Sequence, residues 1–430
     1  MTDAQDTAAD SSLRTTGGTP PDDAGSSVTG APTPLLEPRE GIPPVVADEA
    51  ALAEVISAFA AGSGPVAVDA ERASGYRYGQ RAYLVQLRRE GAGTALIDPV
   101  AVGGRLSGLG EALSGTEWVL HAATQDLPCL REIGMLPSRL FDTELAGRLA
   151  GFPRVGLGAM VENVLGYVLE KGHSAVDWST RPLPEPWLRY AALDVELLVD
   201  LRDALEKELD RQGKLEWALQ EFDAIAAAPP AEPRKDPWRR TSGMHKVRRR
   251  RQLGVVRELW ETRDRIAQRR DVSPGKVLSD AAIVEAALAV PGTVHALSAL
   301  NGFGHRMGRR QLEQWQAAVD RARALPDAAL PQPGQPVAGP PPPRAWADKD
   351  PAAAARLSAA RAGVTALAEQ LNLPQENLVS PDTVRRICWE PPKMVDTGSV
   401  EAALAGYGAR PWQVEQVTPV LVKALSAQGA

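Results

Sequence analysis

The segment Pro65 to Glu71, PVAVDAE, constrains this chain more than any other stretch. It reads as an apolar strand that ends in two acids, Asp69 and Glu71. Side chains two apart on a strand share a face, so the two carboxylates project together. Their mutual repulsion is costly unless a cation compensates it. Magnesium or manganese prefers oxygen ligands of this kind. Asp-x-Glu is also common at solvated strand ends, so the pair alone does not decide the matter.

The surrounding pattern sets the fold class. Ala51 to Phe59 predicts a helix, and further strands are predicted at Arg81–Leu87, Thr94–Ile97, Glu117–His121 and Arg139–Asp142. A helix from about Gln125 to Ile133 follows the fourth strand, and one long helix is predicted from Glu185 to about Arg211. Three strands in succession, then strands alternating with helices, indicate a mixed sheet flanked by helices. Residues 1–44 are small and polar and predict a disordered tail. An α/β unit then spans 45–223, and a Pro-rich linker 224–238. Helical patterns cover 239–325 and 351–430, separated by a second linker, 326–350, that contains the run Pro340 to Pro343.

Composition excludes several classes. Cys129 and Cys388 form no CxxC pair, which argues against a structural zinc site or a disulfide scaffold. The first forty residues have no apolar segment, and no run approaches the roughly 18 apolar residues of a membrane helix. A cytoplasmic protein is expected, with no membrane partner. The net charge of −6 does not suggest a nucleic-acid binder, but charge is uneven along the chain. Between Arg234 and Arg270 there are 14 Lys or Arg against 4 Asp or Glu, densest at HKVRRRR, which contains Arg248, Arg249, Arg250 and Arg251. Such a run is either a solvated helix face or a set of phosphate contacts.

Two further acids stand out. Asp126 follows the fourth strand and opens a helix, where the helix dipole alone favours an acid. Tyr190 and Asp194 lie four apart in WLRYAALDVELL, hence on one helical face. An acid in so apolar a helix is expensive to bury unpaired. An exposed stripe of Asp194, Glu196 and Asp200 is the plainer reading.

Each signal is weak, but their order is specific. Asp-x-Glu at a strand end, Asp after a strand-to-helix turn, then Tyr-x-x-x-Asp in a late helix resembles the DEDD exonuclease superfamily in its tyrosine branch. The segments DAERASGYRYGQRAYLVQL, HAATQDLPCL, LFDTELAGRL and DWSTRPLPEPWLRYAALDVELL resemble the ribonuclease D family, over about residues 45–215. The resemblance implies an α/β ribonuclease H-like 3′-5′ exonuclease domain. It implies two divalent ions, Mg²⁺ or Mn²⁺, held by Asp69, Glu71, Asp126 and Asp194, with Tyr190 orienting the attacking water. It also implies RNA as partner, transfer-RNA precursors among the substrates, and nucleoside 5′-monophosphates as products. A DNA exonuclease with the same site, or a non-catalytic RNA-binding scaffold, is the alternative.

Two positions depart from the family pattern. Ala70 replaces the usual Thr, and Arg72-Ala73-Ser74-Gly75 is smaller than the common aromatic-bearing segment. Neither removes a ligand, and both bear on how the terminal nucleotide is gripped. Asp142 in LFDTELAG is expected to cap the next helix, and His121 to make a local hydrogen bond. Arg181 matches a family loop, where a phosphate contact and a structural salt bridge are about equally expected. The stretch VRELWETRDRIAQRRDVSPGKVLSDAAIVEAALAVPGTVHALSAL, followed by the Gly-rich basic turn Gly302 to Arg310, resembles the HRDC domain, a helical nucleic-acid-binding module. The last block resembles a second, divergent HRDC-type domain, with Trp389 and Trp412 expected in its core.

Overall fold

The computed structural model describes residues 31–170, 172, 173, 175–304, 311–334 and 339–426. Most of the turn Gly302 to Arg310 therefore lies outside the described residues, as do residues 1–30 of the tail. Six strands form one mixed sheet: β2 (Val45–Val46), β3 (Ser63–Arg72), β4 (Ala82–Glu90), β5 (Gly93–Ile97), β6 (Glu117–Leu120) and β7 (Arg139–Asp142). Their order is β2-β5-β4-β3-β6-β7. The β3-β4-β5 meander is antiparallel, and β6 and β7 add in parallel beyond β3. Val66, Ala67 and Val68 are all buried, because both faces of the sheet are covered by helices. The mixed-sheet expectation is borne out.

Register explains the recess that follows. Asp69 pairs with Gln86, Gln86 with Leu96, and Glu71 with Leu84. Directly opposed residues share a face, so Asp69 and Glu71 point the same way as Leu84 and Leu96. That face packs against α6 (Glu185–Glu196), whose Ala191 and Ala192 are buried there. The single helix expected over 185–211 is in fact two. Leu197, with φ −112° and ψ 9°, leaves the helical region, and α7 (Leu198–Arg211) starts anew. No Pro or Gly marks this break. It lets α6 lie across β3, β4 and β5 while α7 follows β3 and β6.

The tail reading needs a second correction. Residues 33–35, assigned to disorder, form β1 and pair in parallel with β8 (Tyr167–Leu169). Glu37 and Glu40 then reach Arg189 and Arg88. A three-residue strand that depends on a partner 134 residues away leaves no local pattern.

The two helical blocks share one order of elements. The middle block runs α9 (Arg250–Arg270), a short helix Pro274–Val277, then Asp280–Ala289, Val294–Ser298 and Leu312–Ala324. The last block runs Pro351–Gln370, the short Gln375–Leu378, then Pro381–Trp389, Thr397–Gly406 and Pro411–Ser426. Their attachment differs. The middle block has its own core around Leu259, Ile266, Phe303 and Trp315. It meets the sheet domain through the β3-β4 loop. The Tyr78 hydroxyl donates to Asp264, the Tyr78 N–H to Asp271 Oδ1, and the Ser273 N–H to the Tyr76 carbonyl. Lys276 Nζ lies 4.0 Å above the Tyr76 ring.

The last block instead shares one continuous apolar core with the sheet domain. Trp412 stacks on Trp217 of α8 (Leu215–Ala226) at 4.8 Å, and its Nε1 donates to Glu221. Lys214 Nζ bridges the carbonyls of Leu149 and Asn372. Gly151, at φ +84°, has Asn372 where a Cβ would stand, so only glycine fits that turn. Trp346, assigned to the linker 326–350, is buried beside Trp389. Trp412→Ala should remove a fully buried side chain and its stack. A loss of about 3–5 kcal/mol in chemical denaturation is expected, and an unchanged unfolding midpoint would show that the last block is not part of the common core.

Candidate active site

Asp69 and Glu71 stand near the end of β3, and α6 brings Tyr190 and Asp194 over them. One carboxylate oxygen from each of Asp69, Glu71 and Asp194 lies within 4.8 Å of the others. The Tyr190 hydroxyl hydrogen-bonds Asp194, as the i,i+4 spacing allows. Asp126 comes from the β6 side. After β6 the chain turns through Ala122 in the left-handed region, φ 58°, and a short 3₁₀ turn, Ala123–Gln125, before Asp126 opens α3 (Leu127–Glu132). Its carboxyl hydrogen-bonds Asp69, and Arg72 Nη2 lies 3.3 Å from its Oδ1.

The turn that carries Asp126 is held by Asp142. The buried Asp142 carboxylate caps α4 (Thr143–Leu149) through the N–H groups of Glu144 and Leu145. It also accepts from the N–H groups of Ala122 and Ala123. The expected cap is present, and the second pair of bonds was not legible in the sequence. A left-handed Ala costs free energy that the surroundings must offset. Asp142 offsets it and so places Asp126. Gln86 plays a similar part for Asp69: fully buried, it donates from Nε2 to Asp69 Oδ2 at 3.2 Å. His121 bonds Thr143 locally, and burial pushes its pKa down to about 4.

Electrostatics define what the recess can hold. Burial, then the charges of Asp69, Asp194 and Asp126, raise Glu71 to about 10. Burial and Asp69 raise Asp126 to about 8. Burial also raises Asp69 and Asp194. Burial with the neighbouring acids holds the Tyr190 phenol well above its ordinary value, so its proton stays on as a donor. Four acids that cannot all ionise in a poorly solvated recess form a set that divalent cations complete. The donors are all oxygen, which suits magnesium or manganese.

The other sequence candidates lie elsewhere. The Arg181 guanidinium is spent inside the protein, on Asp98 at 2.5 Å and on the carbonyls of Trp178, Thr180 and Tyr83. These bonds make it a structural residue of the loop and leave little of the guanidinium for a phosphate. Arg250 donates to the carbonyls of Asp327 and Leu330. Arg251 donates to those of Ala322, Arg323 and Leu325 and pairs with Asp327. Arg251 closes off the end of helix Leu312–Ala324 and Arg250 ties down the turn after it, which is why they cannot serve RNA as freely as a count of charge suggests. Arg248 and Arg249 are exposed. The residue overlooked in the sequence is Arg72, whose position one after Glu71 was noted only as a departure from pattern.

The raised acids make stability depend on pH. Asp126 and Glu71 bind protons more tightly folded than unfolded, so the folded state holds more protons above about pH 4. Their contribution is complete below that value and is lost as pH rises through about 8 and about 10. In chelator, the urea midpoint should fall as pH rises across this window, and saturating magnesium should flatten the fall. Identical profiles with and without magnesium would show that no ion relieves the recess.

Comparison with known proteins follows this geometry. The family described as 3′-5′ exonuclease matches residues 43–210, the HRDC domain matches 252–319, and the 3′ to 5′ exonuclease C-terminal domain matches 339–425. The chain is 37% identical over 279 residues to ribonuclease D of Gluconacetobacter diazotrophicus, covering 62% of this chain and 69% of that protein. It is 33% identical over 294 residues to ribonuclease D of Escherichia coli, covering 66% of this chain and 75% of that one. Among solved structures, a protein from Bifidobacterium adolescentis superposes with a TM-score of 0.84 at 38% identity, over 92% of this chain and 100% of the other. The E. coli enzyme, described as an exoribonuclease involved in structured RNA processing, superposes with a TM-score of 0.66 at 27% identity, over 89% of this chain and 98% of its own. Sheet, helical blocks and sequence thus agree along the chain, which belongs to the ribonuclease D family of 3′-5′ exonucleases.

Proposed function

We propose that this protein is a divalent-ion-dependent 3′→5′ exoribonuclease that trims structured RNA, transfer-RNA precursors among them, in the cytoplasm. The carrying observation is the meeting of Asp69, Glu71 and Asp194 within 4.8 Å under the Tyr190 hydroxyl. In this reading Asp69, Glu71, Asp126 and Asp194 hold two ions, magnesium or manganese. When bound, such ions lower the pKa of water and stabilise the oxygens of an in-line displacement at phosphorus. The chain's own groups do the placing. Tyr190 keeps its proton, directed at Asp194, so its hydroxyl oxygen is left to accept from the attacking water and orient it. Gln86 fixes the Asp69 rotamer, and Asp142 fixes the turn behind Asp126. Products are nucleoside 5′-monophosphates, released singly.

In the same reading the sheet domain, with strand β1 added to it, is the catalytic unit, and the two helical blocks, the last of them including Trp346, hold the body of the RNA. Arg248 and Arg249, with Arg269 and Arg270 at the far end of α9, are its exposed cations for phosphate contact.

The test is a time course on 5′-labelled RNA with a folded body and a single-stranded 3′ tail. A ladder shrinking from the 3′ end with magnesium or manganese, and none with chelator, is expected. Asp69→Ala and Asp194→Ala should lower kcat by roughly 10³-fold or more, and Tyr190→Phe by roughly 10²-fold. Shortening that persists in chelator or in Asp69→Ala would sink the assignment. A matched DNA oligomer degraded faster than RNA would move the substrate class to DNA.

RNA affinity should fall log-linearly with salt. The combined change Arg269→Ala with Arg270→Ala should reduce the slope by about 1–2. An unchanged slope would remove these residues from the RNA path.

A further inference from the structure

Arg72 is the last residue of β3, where pairing with β4 becomes irregular between Glu71 and Arg72. Its side chain is 27% exposed, and its Nη2 lies 3.3 Å from Asp126 Oδ1, itself 8% exposed. Among the described residues Asp126 is its one ion-pair partner. Arg181 and Arg202 differ, since each is tied down by several bonds. The Arg72 contact is a single one, without the bidentate geometry that makes a guanidinium–carboxylate pair strong. A single contact of this kind holds neither side chain rigidly. Its effect is local. Arg72 is the cation acting on Asp69, Glu71 and Asp126 together. Asp126 is also the acid that stands outside the group of three whose oxygens converge.

We propose that Arg72 is a placeholder cation that holds Asp126 until divalent ions take the carboxylate over, and that it then receives a phosphodiester of the RNA. The inference rests on the nuclease reading above. Charge supports it. With two divalent ions bound and the four acids thereby ionised, the acids, the ions and Arg72 sum to one positive charge, and one phosphodiester anion neutralises that. A guanidinium offers five N–H donors in a planar fork, so Arg72 can release Asp126 and meet phosphate oxygens without changing its own protonation. The residue thereby links ion loading to substrate capture.

The experiment compares wild type with Arg72→Gln and Arg72→Lys, each checked for an unchanged unfolding midpoint. Manganese binding is measured by calorimetry without RNA, and KM and kcat on the tailed RNA at saturating manganese. Removing the competing cation should tighten manganese binding of Arg72→Gln about two- to fivefold. Losing the phosphate partner should raise its KM about tenfold or more. Arg72→Lys should keep manganese affinity near wild type and recover part of the KM, as a point charge without the fork. A purely structural pair would weaken ion binding and RNA binding together. Unchanged manganese affinity, or unchanged KM, in Arg72→Gln overturns the proposal. If wild type itself binds no manganese and shortens no RNA, the nuclease reading has failed. If wild type does both and Arg72→Gln matches it, only the role of Arg72 has failed.

Discussion

Crowding of acid in a poorly solvated recess is the constraint around which this molecule is arranged. Asp69, Glu71, Asp126 and Asp194 resist ionising together, and burial makes each worse. A fold stable enough to tolerate that must hold the acids from several directions at once. The sheet supplies two from the buried strand β3, α6 presses a third onto them, and the β6-α3 turn brings the fourth from the side. None of these elements is free to relax away from the others. α6 is clamped by Ala191 and Ala192 against the sheet, and the turn is clamped by four N–H bonds to one carboxylate.

Much of this was legible in the residues. The apolar run before Asp69, the strand-to-turn position of Asp126, and the four-residue step from Tyr190 to Asp194 all survive into the structure, because strand alternation and helical periodicity are local properties. What was hidden depends on partners far along the chain. The break at Leu197 follows from two different sheet surfaces competing for one helix. Strand β1 exists because β8 is there to meet it. Gln86 was visible as a residue but not as the neighbour of Asp69, since a hairpin register is not fixed by either strand alone.

The basic segment teaches the opposite lesson about charge. Four arginines run from 248 to 251, yet Arg251 serves as a helix-end donor and Arg250 as a donor to the turn that follows. A guanidinium near exposed carbonyls satisfies them before it meets any ligand. Local density of charge therefore overstates the surface offered to RNA, and Arg181 repeats the point in a loop that looked equally open to phosphate.

The two attachments of the helical blocks have a consequence for how this chain can be divided. The middle block grips the β3-β4 loop a few residues past Glu71, through Tyr76 and Tyr78. The last block shares its interior with the sheet through Trp217 and Trp412. Cutting after α8 would bare one face of Trp217, empty the space beside Gly151, and leave Tyr78 without an acceptor at Asp264. The modules named by sequence families are consequently not interchangeable parts here. A graft that swaps either helical block must bring its own replacement for these seams, or it disturbs the strand that carries Asp69 and Glu71.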